Sequence, residues 1–239
     1  MEYAEYIDAI EQQTGAFTKV LMRADADDRV PTCPDWSVRD LAIHVGGVLG
    51  FWSHVLAEGT GRPKPQFDAE PGAAAGLWLL QVAGFLINEL KAASADTAVY
   101  TWNPNDQTAG FVARRMAHET AVHRFDAQTA IGKPQPIDPP ALAADGIEEI
   151  FVMVDAWPDS GRGNGETLHL HSAEGNEWLI AMTPDGLEIT REHAKGDMAL
   201  RGAVSDIELV LYDRPPIGEV ERIGDPAGLE AWYRVFKFG

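Results

Sequence analysis

The sequence predicts an α+β protein: a four-helix bundle over residues 1–156, followed by a small α+β domain over residues 157–239. Three observations carry this. Long amphipathic segments separated by proline-rich breaks fill the first part of the chain. From about residue 165 to 203 the apolar period changes from helical to alternating, punctuated by Glu-Gly-Asn and Pro-Asp-Gly turns. With 239 residues, 45% of them hydrophobic, the chain is long enough for one large core or two modest ones.

The first helix is expected from about Glu2 to Asp25, with Tyr6, Ile10, Phe17, Val20 and Leu21 near one face. DDRVPTCPDW then breaks it with two prolines that a helix interior would not accept. Ser37-Val-Arg-Asp40 is a capping-box-like start for the second helix, whose apolar stripe runs through Leu41, Val45, Val48, Leu49, Trp52 and Val55 until GTGRPKPQ ends it. A third helix is expected over about Ala73 to Ala93. After TWNPNDQ comes a fourth, from about Thr108 to Ile131. Pro134, Pro136, Pro139 and Pro140 mark the next break, and a fifth helix runs from about Ala141 to Ala156. SGRGNG (Ser160 to Gly165) reads as a flexible joint. TLHLHSAEGNEWLIAM then alternates as a hairpin, Pro184-Asp185-Gly186 supplies a second turn, and LEITREH and DMALRG read as further strands. Ser205-Asp-Ile-Glu208 resembles a capping box opening a helix through about Tyr212, and Asp225-Pro226 opens the last helix.

Charge narrows the possible partners. The formal net charge is -18, from 37 acidic and 19 basic side chains, and such a surface repels phosphate backbones and anionic lipid. No nucleic-acid or membrane partner is therefore expected. No apolar run reaches the roughly 20 residues of a bilayer span, and MEYAEYIDAIEQQTG has none of the features of a signal peptide. Cys33, the single cysteine, can form no intrachain disulfide, so a reducing cytoplasm is the expected location.

The chemistry concentrates in the fourth helix, RRMAHETAVHRFDAQ. Glu119 and His123 are four apart, so they share a face and can share one metal ion. An ordinary surface pair has the same spacing. His118 sits about 100° around the helix and cannot easily join them. The string resembles the HExxH of metalloproteases but fails as one, because its histidines are five apart. His44 lies in LAIHVGGV, mid-helix among apolar neighbours, where a satisfied core histidine is the commoner meaning. Gly46 and Gly47 directly follow it, and each costs roughly 1 kcal/mol of helix stability relative to Ala, which points to close helix approach or room for a ligand. If the second and fourth helices face each other across the core, His44 completes a three-ligand site.

These residues also carry a family resemblance. VPTCPDWSVRDLAIHVGGV (Val30 to Val48) and RRMAHETAVHRFDAQ (Arg114 to Gln128) resemble the mycothiol-dependent maleylpyruvate isomerase family, within the wider DinB-like group of metal-binding helical bundles. MALRGAVSDIELVLYDRPP and IGDPAGLEAW resemble the family's C-terminal domain, which is related to sterol-carrier-type modules. The resemblance implies that His44, Glu119 and His123 bind zinc or another divalent metal. Two imidazoles and a carboxylate leave a fourth position open, as in catalytic rather than structural zinc sites. It further implies mycothiol as the low-molecular-weight thiol cosubstrate. The thiol would add to a small electrophile, giving a cis–trans isomerase of the maleylpyruvate type or a thiol S-transferase, active as a monomer or homodimer. Arg201, in LRGAVSD, matches a basic residue of the family motif and is the candidate catalytic residue for gripping a substrate carboxylate. A metal-dependent hydrolase and a non-catalytic ligand-binding protein are the competing classes.

Other residues receive weaker roles. Asp126, three beyond His123, could orient a ligand histidine. Arg114, Arg115 and Arg124 read as surface ion-pair residues, and Cys33 as a structural loop residue without an activating neighbour in sequence. Trp36, Trp52, Trp78 and Trp102 read as core or pocket wall. His169 and His171 share a strand face with no third ligand in evidence, and His54 and His193 fall in no pattern.

Overall fold

A computed structural model describes residues 1–59, 75–157 and 162–236. The first helix, α1 (Tyr3–Leu21), opens where the Glu2 backbone N–H donates to Glu5 Oε2 at 2.6 Å. It buries Tyr6, Ile10, Phe17 and Val20, the face its periodicity predicts. The proline-rich segment after it is not a plain loop. It forms two short antiparallel strands, β1 (Arg29–Val30) and β2 (Cys33–Ser37), too brief to leave a periodic signal. The last β2 residue caps α2 (Val38–Glu58): Ser37 Oγ accepts from the Asp40 N–H and the Asp40 carboxylate accepts from the Ser37 N–H, which is the expected capping box.

Helices α3 (Ala75–Ala92) and α4 (Ala109–Ala130) complete the bundle. α1 and α2 are each flanked by α3 and α4, so chain order is not ring order, and α2 and α4 are side-by-side neighbours. Leu41, Val45, Leu49, Trp52 and Val55 of α2 are buried, each large apolar side chain contributing about 1.5–3 kcal/mol. α2 is also long and apolar enough to cross a bilayer, contrary to the expectation that no such run exists. In the structure that apolar face packs on α3 and α4. The glycine pair of α2 resolves into two different cases. A Cβ on Gly46 would stand 2.1 Å from the Trp78 ring of α3, whereas one on Gly47 would meet nothing within 4 Å. Close helix approach therefore accounts for Gly46 alone.

A second unit covers Pro136–Gly239. Its sheet, in the order β5-β4-β3-β6-β7, consists of β3 (Glu166–Ser172), β4 (Glu177–Thr183), β5 (Gly186–Thr190), β6 (Met198–Gly202) and β7 (Glu221–Gly224). Among the described residues only the β3–β6 pairing is parallel. Leu168, Leu170, Ile180, Met182, Met198 and Leu200 line one face of the sheet and are buried. Three helices cover that face: α5 (Pro140–Ala156), α6 (Val204–Leu211) and α7 (Ala227–Val235). Trp178 Nε1 donates to Glu148 of α5 at 2.8 Å, and Gly228 of α7 lies close against Met198. Trp232 of α7 is fully buried, meets Phe151 of α5 edge-on and donates to the Leu211 carbonyl.

The two units divide at Gln135/Pro136, so α5 counts with the sheet and not with the bundle, as the 156/157 boundary had it. The physical reason is that the inner side of α5 meets Trp178 and Trp232. Two local expectations also change. Helix α6 begins at Val204, so Ser205 is no cap; its Oγ accepts from the Ile137 N–H at 2.7 Å. β5 stops at Thr190, leaving Arg191–His193 outside the strand. Residues 60–66 of the predicted break, Ala73 at the predicted start of α3, and Ser160 and Gly161 of the predicted joint lie outside the described residues.

Candidate metal centre

Helix α4 is unusual because polar side chains are buried almost all round it. Arg115, His118, Glu119, Thr120, His123, Arg124 and Asp126 are all buried. A helix with ionisable groups on its inner face must pair each charge, because an unpaired buried charge costs several kcal/mol. The pairing is visible residue by residue. Arg115, one turn before Glu119, donates to Glu119 Oε2. Glu119 Oε1 lies 3.1 Å from His44 Nε2 and 3.4 Å from His123 Nε2. Asp126 Oδ2 lies 2.9 Å from His123 Nδ1, and the Cys33 thiol donates to the same oxygen at 3.6 Å.

These contacts shift Glu119 and His123 in opposite directions. Burial by itself would raise the Glu119 carboxyl, but Arg115, His123 and the hydrogen bonds from His123 and His44 hold it well below the usual carboxylate range. Burial would lower His123, yet Glu119 and Asp126 together push it up to about 9. The Trp36 ring from β2 sits 4.7 Å from the His44 ring and 6.2 Å from that of His123, forming an aromatic wall on one side. His44 keeps 34% of its side chain exposed while Glu119 and His123 keep 11% each, so the cluster opens on the His44 side.

The donor set suits a divalent transition metal. Ligating atoms of His44, Glu119 and His123 all lie within 4.8 Å of one another, and two imidazoles with one carboxylate match the catalytic zinc pattern. Asp126, bonded to the far nitrogen of His123, supplies the carboxylate that orients metal-binding histidines elsewhere. His118 points away, edge-on to Tyr6 of α1.

The structure brings His44, Glu119 and His123 together, in surroundings that differ from the expected ones. Glu119 and His123 are not a surface pair. Arg115 and Arg124 are also buried, Arg115 on Glu119 and Arg124 on Gln13, Gln128 and the Gln135 carbonyl. The i−4 spacing of Arg115 from Glu119 was the available signal for that contact. Cys33 and Trp36 reach the site from a strand 82 or more residues distant in sequence from Glu119, for which no local signal exists. Arg201 belongs to the second unit, exposed on β6 beside His171 and opposite Glu221.

Comparison with known proteins places the chain in a family. The family profile described as the mycothiol maleylpyruvate isomerase N-terminal domain matches residues 7–128, a stretch holding His44, Glu119 and His123. No curated protein matches the chain. A solved structure described as the mycothiol-dependent maleylpyruvate isomerase is similar at 15% identity, with 93% of each chain covered and a TM-score of 0.57. A histidine-to-alanine variant of that enzyme is similar at 14% identity, with 88% of each chain covered and a TM-score of 0.52. At such identities the two structures speak for the fold, α+β with a helical unit followed by a sheet-containing one. The family follows from the profile, which spans just over half the chain: this protein belongs to the mycothiol maleylpyruvate isomerase N-terminal domain family.

Proposed function

We propose that the protein is a metal-dependent enzyme that uses a low-molecular-weight thiol, mycothiol, to isomerise or conjugate a small electrophile. The observation that carries the proposal is the convergence of His44, Glu119 and His123 beside a buried carboxylate, Asp126, that orients one of them. Those three side chains would hold the metal, zinc by donor chemistry. When bound, the metal favours the thiolate form of a coordinated thiol, making it nucleophilic at neutral pH.

The chain's own residues then divide the remaining work. Arg115 fixes one oxygen of Glu119, leaving the other directed at the two histidines. Asp126 holds the Nδ1 side of His123, so that its Nε2 faces the cluster. Trp36 screens the histidines from water on one side. Addition of the thiol sulfur to a cis double bond leaves a single bond about which the substrate rotates. Elimination restores the double bond as trans and returns the thiol. Without elimination the product is a thioether, the S-transferase outcome. Arg201 would grip a substrate carboxylate, in keeping with its exposure and its bidentate guanidinium. The protein acts in the cytoplasm, as a monomer or homodimer.

The test is metal analysis of the purified protein combined with turnover of maleyl-type electrophiles with and without mycothiol. Bound zinc and turnover that requires the thiol are expected. Turnover of a hydrolysable substrate without any thiol would replace this reading with zinc-hydroxide chemistry.

A further inference from the structure

Three of the seven histidines of the chain gather on the sheet of the second unit. His169 and His171 are two apart on β3 and therefore share one face of the sheet. It is the face opposite Leu168 and Leu170, away from the helices of that unit. Glu177, on β4, is the register partner of His171. His193 arrives from the segment after β5.

The segment carrying His193 is pinned on both sides. At its start Thr190 pairs with Leu179. At its end the Asp197 N–H donates to Thr167 Oγ1, and the Asp197 carboxylate accepts from the Thr167 N–H at 2.9 Å and hydroxyl at 2.7 Å. Gly196 lets the segment run tightly over β3, since a Cβ there would stand 3.1 Å from the His169 backbone nitrogen. Glu177 is consequently surrounded. Its Oε2 lies 3.0 Å from His169 Nε2 and 2.8 Å from His193 Nδ1, and its Oε1 lies 3.1 Å from His171 Nδ1. The three rings stand 5.4–6.1 Å apart at interplanar angles of 76–85°. The ring planes are thus nearly perpendicular to one another, and one ligand atom from each of the four residues lies within 4.8 Å of the others.

We propose that His169, His171, His193 and Glu177 form a second divalent-metal site, for zinc or a neighbouring first-row transition ion, that fastens the 191–197 segment to the sheet. Three imidazoles select a borderline transition metal over magnesium or calcium, which prefer oxygen. Three imidazoles and a carboxylate also supply all four ligands of a tetrahedral ion, the closed arrangement of structural zinc. The site is graded in exposure, from 7% for the His169 side chain to 77% for that of His193, so an ion enters from solvent against a preformed inner half. Sequence reading missed it because the third and fourth donors come from a turn partner and a loop.

The experiment titrates metal-stripped full-length protein with Zn2+ alone, and with Co2+ alone as an absorbing probe. The wild type is expected to take two ions per chain. A His44→Ala/His123→Ala variant is expected to take one, with the absorption of tetrahedral Co2+. In that background His193→Ala and His171→Ala, at the more exposed positions, should weaken the remaining ion by more than the roughly 10–100-fold that loss of a ligand's hydrogen-bond partner costs. Circular dichroism checks that each variant is folded. Absence of an ion in the His44→Ala/His123→Ala background, or binding indifferent to both later changes, would overturn the proposal and leave three histidines bonded to one carboxylate. Neither result depends on whether the protein has thiol-dependent activity.

Discussion

Asp126 is fully buried and spends one oxygen on both the His123 ring and the Cys33 thiol. Asp126→Asn removes its charge while keeping its shape, and zinc affinity measured by chelator competition should fall roughly 10–100-fold with the fold intact. The titration of His123 gives a second prediction. Glu119 and Asp126 raise its pKa from the ordinary 6.5 of a histidine to about 9 in the folded protein. A raised pKa means that the folded state holds the proton more tightly than the unfolded one. The stabilisation is therefore complete below about 6.5 and is lost as pH climbs through about 9. Chelator-treated protein should show a falling Tm between pH 7 and 10 by calorimetry, and His123→Gln should flatten that fall. Zinc needs the neutral ring, so its affinity should rise over the same interval.

Helices α2 and α4 present the site for opposite reasons. α2 follows ordinary rules, with a capped start and an apolar face that carries His44 to the cluster, and its boundaries are legible in the sequence. α4 breaks the amphipathic rule because its inner face holds Arg115, Glu119, His123 and Asp126, whose mutual pairing substitutes for apolar packing. On α2 the two adjacent glycines separate packing from propensity. Gly47→Ala adds a methyl group to open space and should raise stability by up to about 1 kcal/mol. Gly46→Ala must displace the Trp78 ring and should lower stability by about 1–3 kcal/mol. Urea unfolding of the two variants gives the comparison directly, and equal midpoints would contradict it.

At the scale of the molecule, the consequential feature is the assignment of α5. Helical texture continues to residue 156, which makes α5 look like part of the bundle. Its partners are Trp178, Trp232 and Arg191, all in the second unit. A fragment of residues 136–239 should therefore show a cooperative thermal transition and dispersed amide signals. A fragment starting at residue 157 leaves the face of Trp232 that meets Phe151 open to water and should not. Cooperative folding of the shorter fragment would count against the Gln135/Pro136 division.

The sequence by itself determined the α+β class, the four bundle helices to within a few residues, the α2 cap, the β3–β4 hairpin and, through motif resemblance, the three candidate ligands that the fold brings together. These are local properties: periodicity, capping and turn chemistry act over a few residues, and Glu119 and His123 are one helical turn apart. Tertiary structure decided the rest. It placed α2 beside α4, so that His44 meets a carboxylate 75 positions away. It brought Cys33 and Trp36 to the same place, assigned α5 to the sheet, and joined His193 to two strand histidines and Glu177. Each of these rests on contacts between segments distant along the chain, which packing creates and no short pattern of residues records.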